Sequence, residues 1–116
     1  MDTLTIPALR QAIETRDGAT LAGFYADDAV LRIIDAAHPP SDPLEIKGGA
    51  AIAAYYDDVC GRTMTHSVDI GIAEGDRLAF LQNCTYPDGK RVCCSAMVEL
   101  RHGKIVRQVA VQAWDS

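Results

Sequence analysis

The sequence has no apolar run approaching the roughly 20 residues that a helix needs to span a bilayer, so a membrane-embedded chain is not expected. Its start, Met1-Asp2-Thr3, lacks a basic stretch followed by an apolar one. No secretory signal is therefore expected, and the cytosol is the expected location. Lys and Arg number eleven and are scattered singly. A phosphate backbone requires them clustered, so nucleic acid is not an expected partner. The net charge of −5 points the same way and favours solubility. No Cys-x-x-Cys occurs among Cys60, Cys84, Cys93 and Cys94, and the adjacent pair would point to opposite faces of a strand. No zinc site or other metal is expected, and the thiols read as small buried apolar groups of a reducing compartment. Repeats, low-complexity tracts and linkers are also missing, which leaves a single domain over 1–116.

What is present is apolar material for one core, 48% of the residues. Helices come first. Thr5 can cap a helix that accepts Pro7 in its first turn and puts Leu9, Ala12 and Ile13 on one face. Asp17 can cap a short second helix carrying Leu21, Phe24 and Tyr25 and stopping at Asp27-Asp28. Val30, Leu31, Ile33 and Ile34 then read as a strand over Ala29 to Asp35. Ala36 to Pro43 holds three prolines and is a loop; Leu44-Glu45-Ile46 suits a short edge strand. A third helix runs from about Ala50 to Cys60, with Ile52, Tyr55, Tyr56 and Val59 at helical spacing. Everything after Arg62 reads as a β-meander with turns at Gly75-Asp76, Pro87-Asp88-Gly89 and His102-Gly103. The pattern predicts an α+β fold.

The middle hairpin can be registered from its turn. Tyr-Pro-Asp-Gly-Lys suits a three-residue loop, a type I turn with a G1 bulge. Tyr86 then faces Lys90, and the pairs run Cys84–Val92, Gln82–Cys94, Phe80–Ala96 and Leu78–Val98. Arg77 falls opposite Glu99, an opposite-charge pair. In the preceding strand His66 shares parity with Val68, Ile70 and Ile72. The last strand stays open: Ile105, Val109 and Val111 have one parity, Val106, Gln108, Ala110 and Gln112 the other.

Four segments in this order carry a family likeness: Phe24 to Val30, Ile46 to Tyr56, Gly75 to Phe80 and Gly103 to Val106. The chain resembles the nuclear transport factor 2-like superfamily, within it the SnoaL-like polyketide cyclases and ketosteroid isomerase relatives. The resemblance implies a cone-shaped, barrel-like curved antiparallel sheet closed by the three helices around a pocket for a small, largely apolar or amphipathic molecule. It implies a homodimer through the outer sheet face. It also puts Gln108, Ala110 and Gln112 inward, and Val109 and Val111 outward. The isomerase machinery does not carry over, because its tyrosine and two aspartates fall at Leu9, Ile33 and Ala96. The cyclases' late aspartate falls near Gln112, with Asp115 beyond the strand end.

Asp35 shares the inward parity of Ile33 and sits nearer the pocket mouth. It is a candidate general base, its pKa raised by apolar neighbours, or else a cap on the proline loop. His38 can pair with it or be a solvated loop histidine, and the second reading is preferred. His66 is the best neutral-pH acid or base in the chain, although a histidine on an apolar strand face is more often a hydrogen-bonded core residue. Asp35 and His66 are thus the catalytic candidates. Tyr56, Gln82, Tyr86, Cys94, Gln108 and Gln112 are the ligand-binding candidates, since inward amides need water, each other or a polar ligand. Cys94 has no evident base beside it and reads as structural. The leading function is an acid–base enzyme of isomerase, cyclase or hydratase type needing no cofactor. The rivals are a non-catalytic binding module and a dimeric interaction domain.

Overall fold

The structure is a computed structural model that describes residues 3–116. The first helix, α1 (Ile6–Glu14), begins where its cap dictates: Thr5 Oγ1 accepts a hydrogen bond from the Ala8 N–H at 3.3 Å, and Pro7 lies in the first turn. Its buried face is Leu9, Ala12 and Ile13. Asp17 caps α2 (Gly18–Gly23), accepting from the Thr20 N–H and from its hydroxyl.

The second helix is shorter than its local pattern predicts. Tyr25, expected on it, is already the first residue of the strand β1 (Tyr25–Ile34). The cause is long-range. The Phe24 carbonyl accepts from the Ile105 N–H at 2.8 Å and Tyr25 pairs with Ile105, so the last strand captures the chain four residues before Ala29.

The remaining elements are β2 (Leu44–Lys47), α3 (Gly49–Gly61), β3 (Thr65–Glu74), β4 (Arg77–Thr85), β5 (Arg91–Arg101) and β6 (Lys104–Trp114). They form one six-stranded sheet in the order β2-β1-β6-β5-β4-β3. The expected α+β architecture, three helices on a curved sheet, is present. The sheet is open, with β2 and β3 at its edges, and β1 runs parallel to β6 while every other neighbouring pair is antiparallel.

The β4–β5 hairpin has the register its turn chemistry requires, from Arg77 opposite Glu99 to Thr85 opposite Arg91. Gly89 adopts φ +90°, which closes the three-residue loop, and Tyr86 donates its N–H to the Lys90 carbonyl. The charge pairing differs in detail. Glu99 is bonded by Arg107 on its other flank, at 3.0 Å, rather than by Arg77. Both flanking strands present an arginine there, and an exposed pair of this kind adds little stability.

Two bulges redistribute the faces. In β3 the register shifts between Val68 and Ile70. Asp69 is the extra residue, so Ile70 and Ile72 do not follow His66 and Val68 inward: they are 55% and 62% exposed. Gly71 turns inward instead, opposite Phe80. In β6 the shift falls at Val106, between the pairs Leu100–Ile105 and Glu99–Arg107. Ile105 is therefore buried together with Gln108 and Ala110, and the two parities open in the sequence each hold for part of the strand.

Gly71 also permits the close approach of α1 to β3. A Cβ built on it would lie 2.5 Å from Ile6 Cγ2. Gly71→Ala is expected to destabilise the fold by about 1–3 kcal/mol through this overlap. Ile6→Ala in the same chain should restore part of that loss, and denaturant midpoints of the two variants measure both effects.

Candidate functional site

α3 lies across the sheet with only Ile52 fully buried. Its Tyr55, Tyr56, Val59 and Cys60 line a cavity of about 230 Å³, the first two and Cys60 also packing against the core. Leu9 and Ile13 of α1 and Leu21 of α2 close one wall, and Leu31, Ile33, Phe80, Val92 and Ala110 floor it from the sheet. All eight residues singled out in the sequence line this cavity: Asp35, Tyr56, His66, Gln82, Tyr86, Cys94, Gln108 and Gln112.

They fall into separate groups. Tyr25 links two elements: its hydroxyl donates to Gln108 Oε1 and stands 2.5 Å from the Tyr56 hydroxyl. Since a phenol has one proton, Tyr56 is the donor to Tyr25. Burial holds both phenols above the ordinary tyrosine pKa and pushes Tyr55 up to about 12. Gln108 is the buried polar residue of the core and is satisfied in this way, as buried amides must be.

The second group joins β3 to β4. His66 Nδ1 lies 3.0 Å from Cys84 Sγ, directly across the strand pair, and Gln82 Nε2 lies 3.2 Å from the same nitrogen and 3.3 Å from the sulfur. Burial lowers the His66 pKa, and the Arg16 charge lowers it further. Burial raises the Cys84 thiol and pushes Cys94 up to about 12. The resting pair is a neutral imidazole and a neutral thiol.

At the third site the Tyr86 ring stacks on Trp114, with centroids 5.9 Å apart. Arg62 donates to the Tyr86 hydroxyl at 3.1 Å, and the Trp114 indole donates to Gln112 Oε1 at 3.0 Å. Asp35 stands apart from all of these. Its Oδ1 accepts from the Ala37 and His38 N–H groups and from His38 Nδ1, at 3.0, 2.8 and 2.9 Å. The carboxylate thus caps the proline loop, as the alternative reading of the sequence had it, while still bordering the cavity. His38 is its partner rather than a solvated loop residue.

Tyr25, Cys84 and Trp114 were not singled out from the sequence. Tyr25 was hidden by its assignment to α2. Trp114 was legible, since it lies two residues past Gln112 on the same side of a strand. The pairing of Cys84 with His66 depends on the Asp69 bulge, which shifts by one residue the register begun at the Gly75-Asp76 turn. Leu9, Ile33 and Ala96, where the isomerase residues would stand, are all buried and apolar. Among the described residues no group of three or more His, Cys, Asp or Glu is placed to hold a metal ion, and no helix is long and apolar enough to cross a membrane.

An open curved sheet capped by three helices over a lined cavity is the nuclear transport factor 2-like architecture. Residues 7–108 match the SnoaL-like domain, and the chain belongs to that family. No curated protein matches it in sequence. Among solved structures it is similar to an NTF2-like protein of unknown function from Mesorhizobium loti, with TM-score 0.81 and 16% identity over 93% of this chain and 87% of that one. A putative ketosteroid isomerase from Kribbella flavida gives 0.73 and 19% over 95% and 74%. An NTF-2 like protein of unknown function from Burkholderia xenovorans gives 0.75 and 22% over 96% and 80%. At these identities the likeness is one of fold.

The two causes of the His66 shift can be separated by experiment. Arg16→Ala is expected to raise the His66 pKa but leave it below the ordinary 6.5, because burial is the larger cause and remains. Titration of the imidazole ring protons by NMR reads both values. Since the unfolded histidine binds its proton more readily, stability should rise with pH through the window just below 6.5, and less so in the variant.

Proposed function

We propose that the cavity binds a small, largely apolar carbonyl compound and acts on it by acid–base chemistry of isomerase, cyclase or hydratase type. The observation that supports this most is the protonation pattern of one lined space. It holds an imidazole kept neutral by burial and phenols kept protonated by burial. A neutral imidazole is a proton acceptor at neutral pH, and a buried phenol pair is a source of hydrogen bonds to a developing oxyanion. In this reading His66 is the base, Asp35 a second acid–base group at the mouth, and Tyr56 a donor to the carbonyl once a ligand draws its proton away from Tyr25. Gln82, Tyr86, Cys94, Gln108 and Gln112 orient the ligand. No cofactor takes part. The similarity in fold to a putative ketosteroid isomerase agrees with chemistry at a carbonyl.

A second reading, binding without turnover, is favoured by one observation: Asp35 Oδ1 is committed to the loop and His38. Exchange of the α-protons of cyclohexanone into D₂O tests the two. Wild type should accelerate exchange, and His66→Asn should lower it by about 100-fold, the usual range for a general base. Binding seen as cavity shifts in NMR, without exchange, would instead establish the binding module.

The same reading includes a cytosolic homodimer. Four free thiols support the location. On the outer face Ile72, Ala79, Met97 and Val109 are consecutive cross-strand neighbours, as are Ile70, Leu81, Ser95 and Val111. Met97 is 68% exposed and Val111 50%, a contiguous apolar band of the kind that marks an interface. Sedimentation should show a dimer at micromolar concentration and a monomer for Met97→Glu; a wild-type monomer at high micromolar concentration would rule the interface out.

A further inference from the structure

A cavity that admits a carbonyl compound also exposes that compound to Cys84. We propose that Cys84 is a nucleophile activated by His66, and that it adds to small α,β-unsaturated carbonyl compounds held in the cavity. The proposal rests on the carbonyl-binding reading of the cavity and names a subset of its ligands.

The geometry has the three parts of an activated nucleophile: a thiol, a base within hydrogen-bond reach, and a third group that orients the base. Cys84 Sγ and His66 Nδ1 are 3.0 Å apart. The Gln82 amide nitrogen, which can only donate, approaches both of them. A nitrogen approached by an amide N–H and a thiol must carry the lone pair, so the His66 proton sits on Nε2 and the Nδ1 lone pair is shared by the Gln82 N–H and the thiol, which it accepts from as attack begins. The same amide nitrogen lies 3.3 Å from the sulfur, where its N–H favours the thiolate. Both side chains line the cavity, and His66 also borders an adjoining depression with Arg16, Thr65 and Tyr86 that offers its proton a route to solvent. Besides Arg16, charged groups near this wall are Glu14, whose carboxylate is bonded by the Val68 N–H, and Arg62, which donates to the Tyr86 hydroxyl.

Burial keeps the thiol protonated at rest, so the proton leaves only as attack occurs. It passes to Nδ1 while the sulfur forms a bond to the β-carbon. The π pair of the alkene moves onto the carbonyl oxygen as an enolate, and the imidazolium returns a proton to the α-carbon. The sum is addition of S–H across C=C, with no oxidant, reductant or leaving group.

Cyclohex-2-enone tests this, with the exposed Cys93 on the opposite face as internal reference. Mass-spectrometric mapping of the native protein should find Cys84 modified first. Its rate should level off above the His66 pKa. His66→Asn should slow Cys84 by about 100-fold and leave Cys93 unchanged. Should that variant not fold, Gln82→Met keeps the shape and removes the amide, and an unchanged Cys84 rate in it overturns the proposal. So does modification of Cys93 alone, or a Cys84 rate that keeps rising beyond the His66 pKa. Saturated cyclohexanone separates the two levels. If it shifts cavity resonances while the enone spares Cys84, only the nucleophile is refuted; if neither compound shifts them, the carbonyl-binding reading falls as well.

Discussion

A pleated strand presents alternate residues to opposite faces, and this sheet breaks that alternation where its two faces must differ. The extra residues Asp69 in β3 and Val106 in β6 each exchange inside for outside partway along a strand. Without the first, Ile70 and Ile72 would press into α1; with it, Gly71 lies beneath Ile6, so close that an added Cβ would overlap the Ile6 side chain. Without the second, Ile105 and Gln108 could not both be buried. The seat of α1, the exposure of Ile70 and Ile72 and the burial of Gln108 follow from these two insertions.

The cavity is the space that α3 leaves unfilled. Its aromatic residues border that space, Tyr56 packing on Tyr25, and one buried hydrogen-bond chain, Tyr56 to Tyr25 to Gln108, ties α3 to β1 and β6. Such a chain is stabilising only when every member is satisfied, which fixes the position of α3 along the sheet. The same low polarity governs ionisation. Every titratable group shifted by burial in the cavity moves toward its neutral form: phenols and thiols up, imidazole down.

The chain by itself determined its helix caps, the β4–β5 register and the order of the elements, because each depends on residues a few positions apart. Thr5 and Asp17 satisfy N–H groups three residues on, and Tyr86 to Lys90 close their own turn. The eight cavity residues were legible from strand parity, helical spacing and family likeness together, since these state which side a residue is on. Tertiary structure alone decided who stands next to whom. Tyr25 left its helix because Ile105, eighty positions away, offered Phe24 a strand partner. Glu99 turned to Arg107 over Arg77, and Asp35 spent an oxygen on its own loop. His66 met Cys84 because the Asp69 bulge shifts by one residue the register that the Gly75-Asp76 turn begins. Local chemistry acts through bonds a turn in length, whereas a bulge or a cross-strand partner is chosen by the packing of surfaces that meet only when the whole sheet has formed.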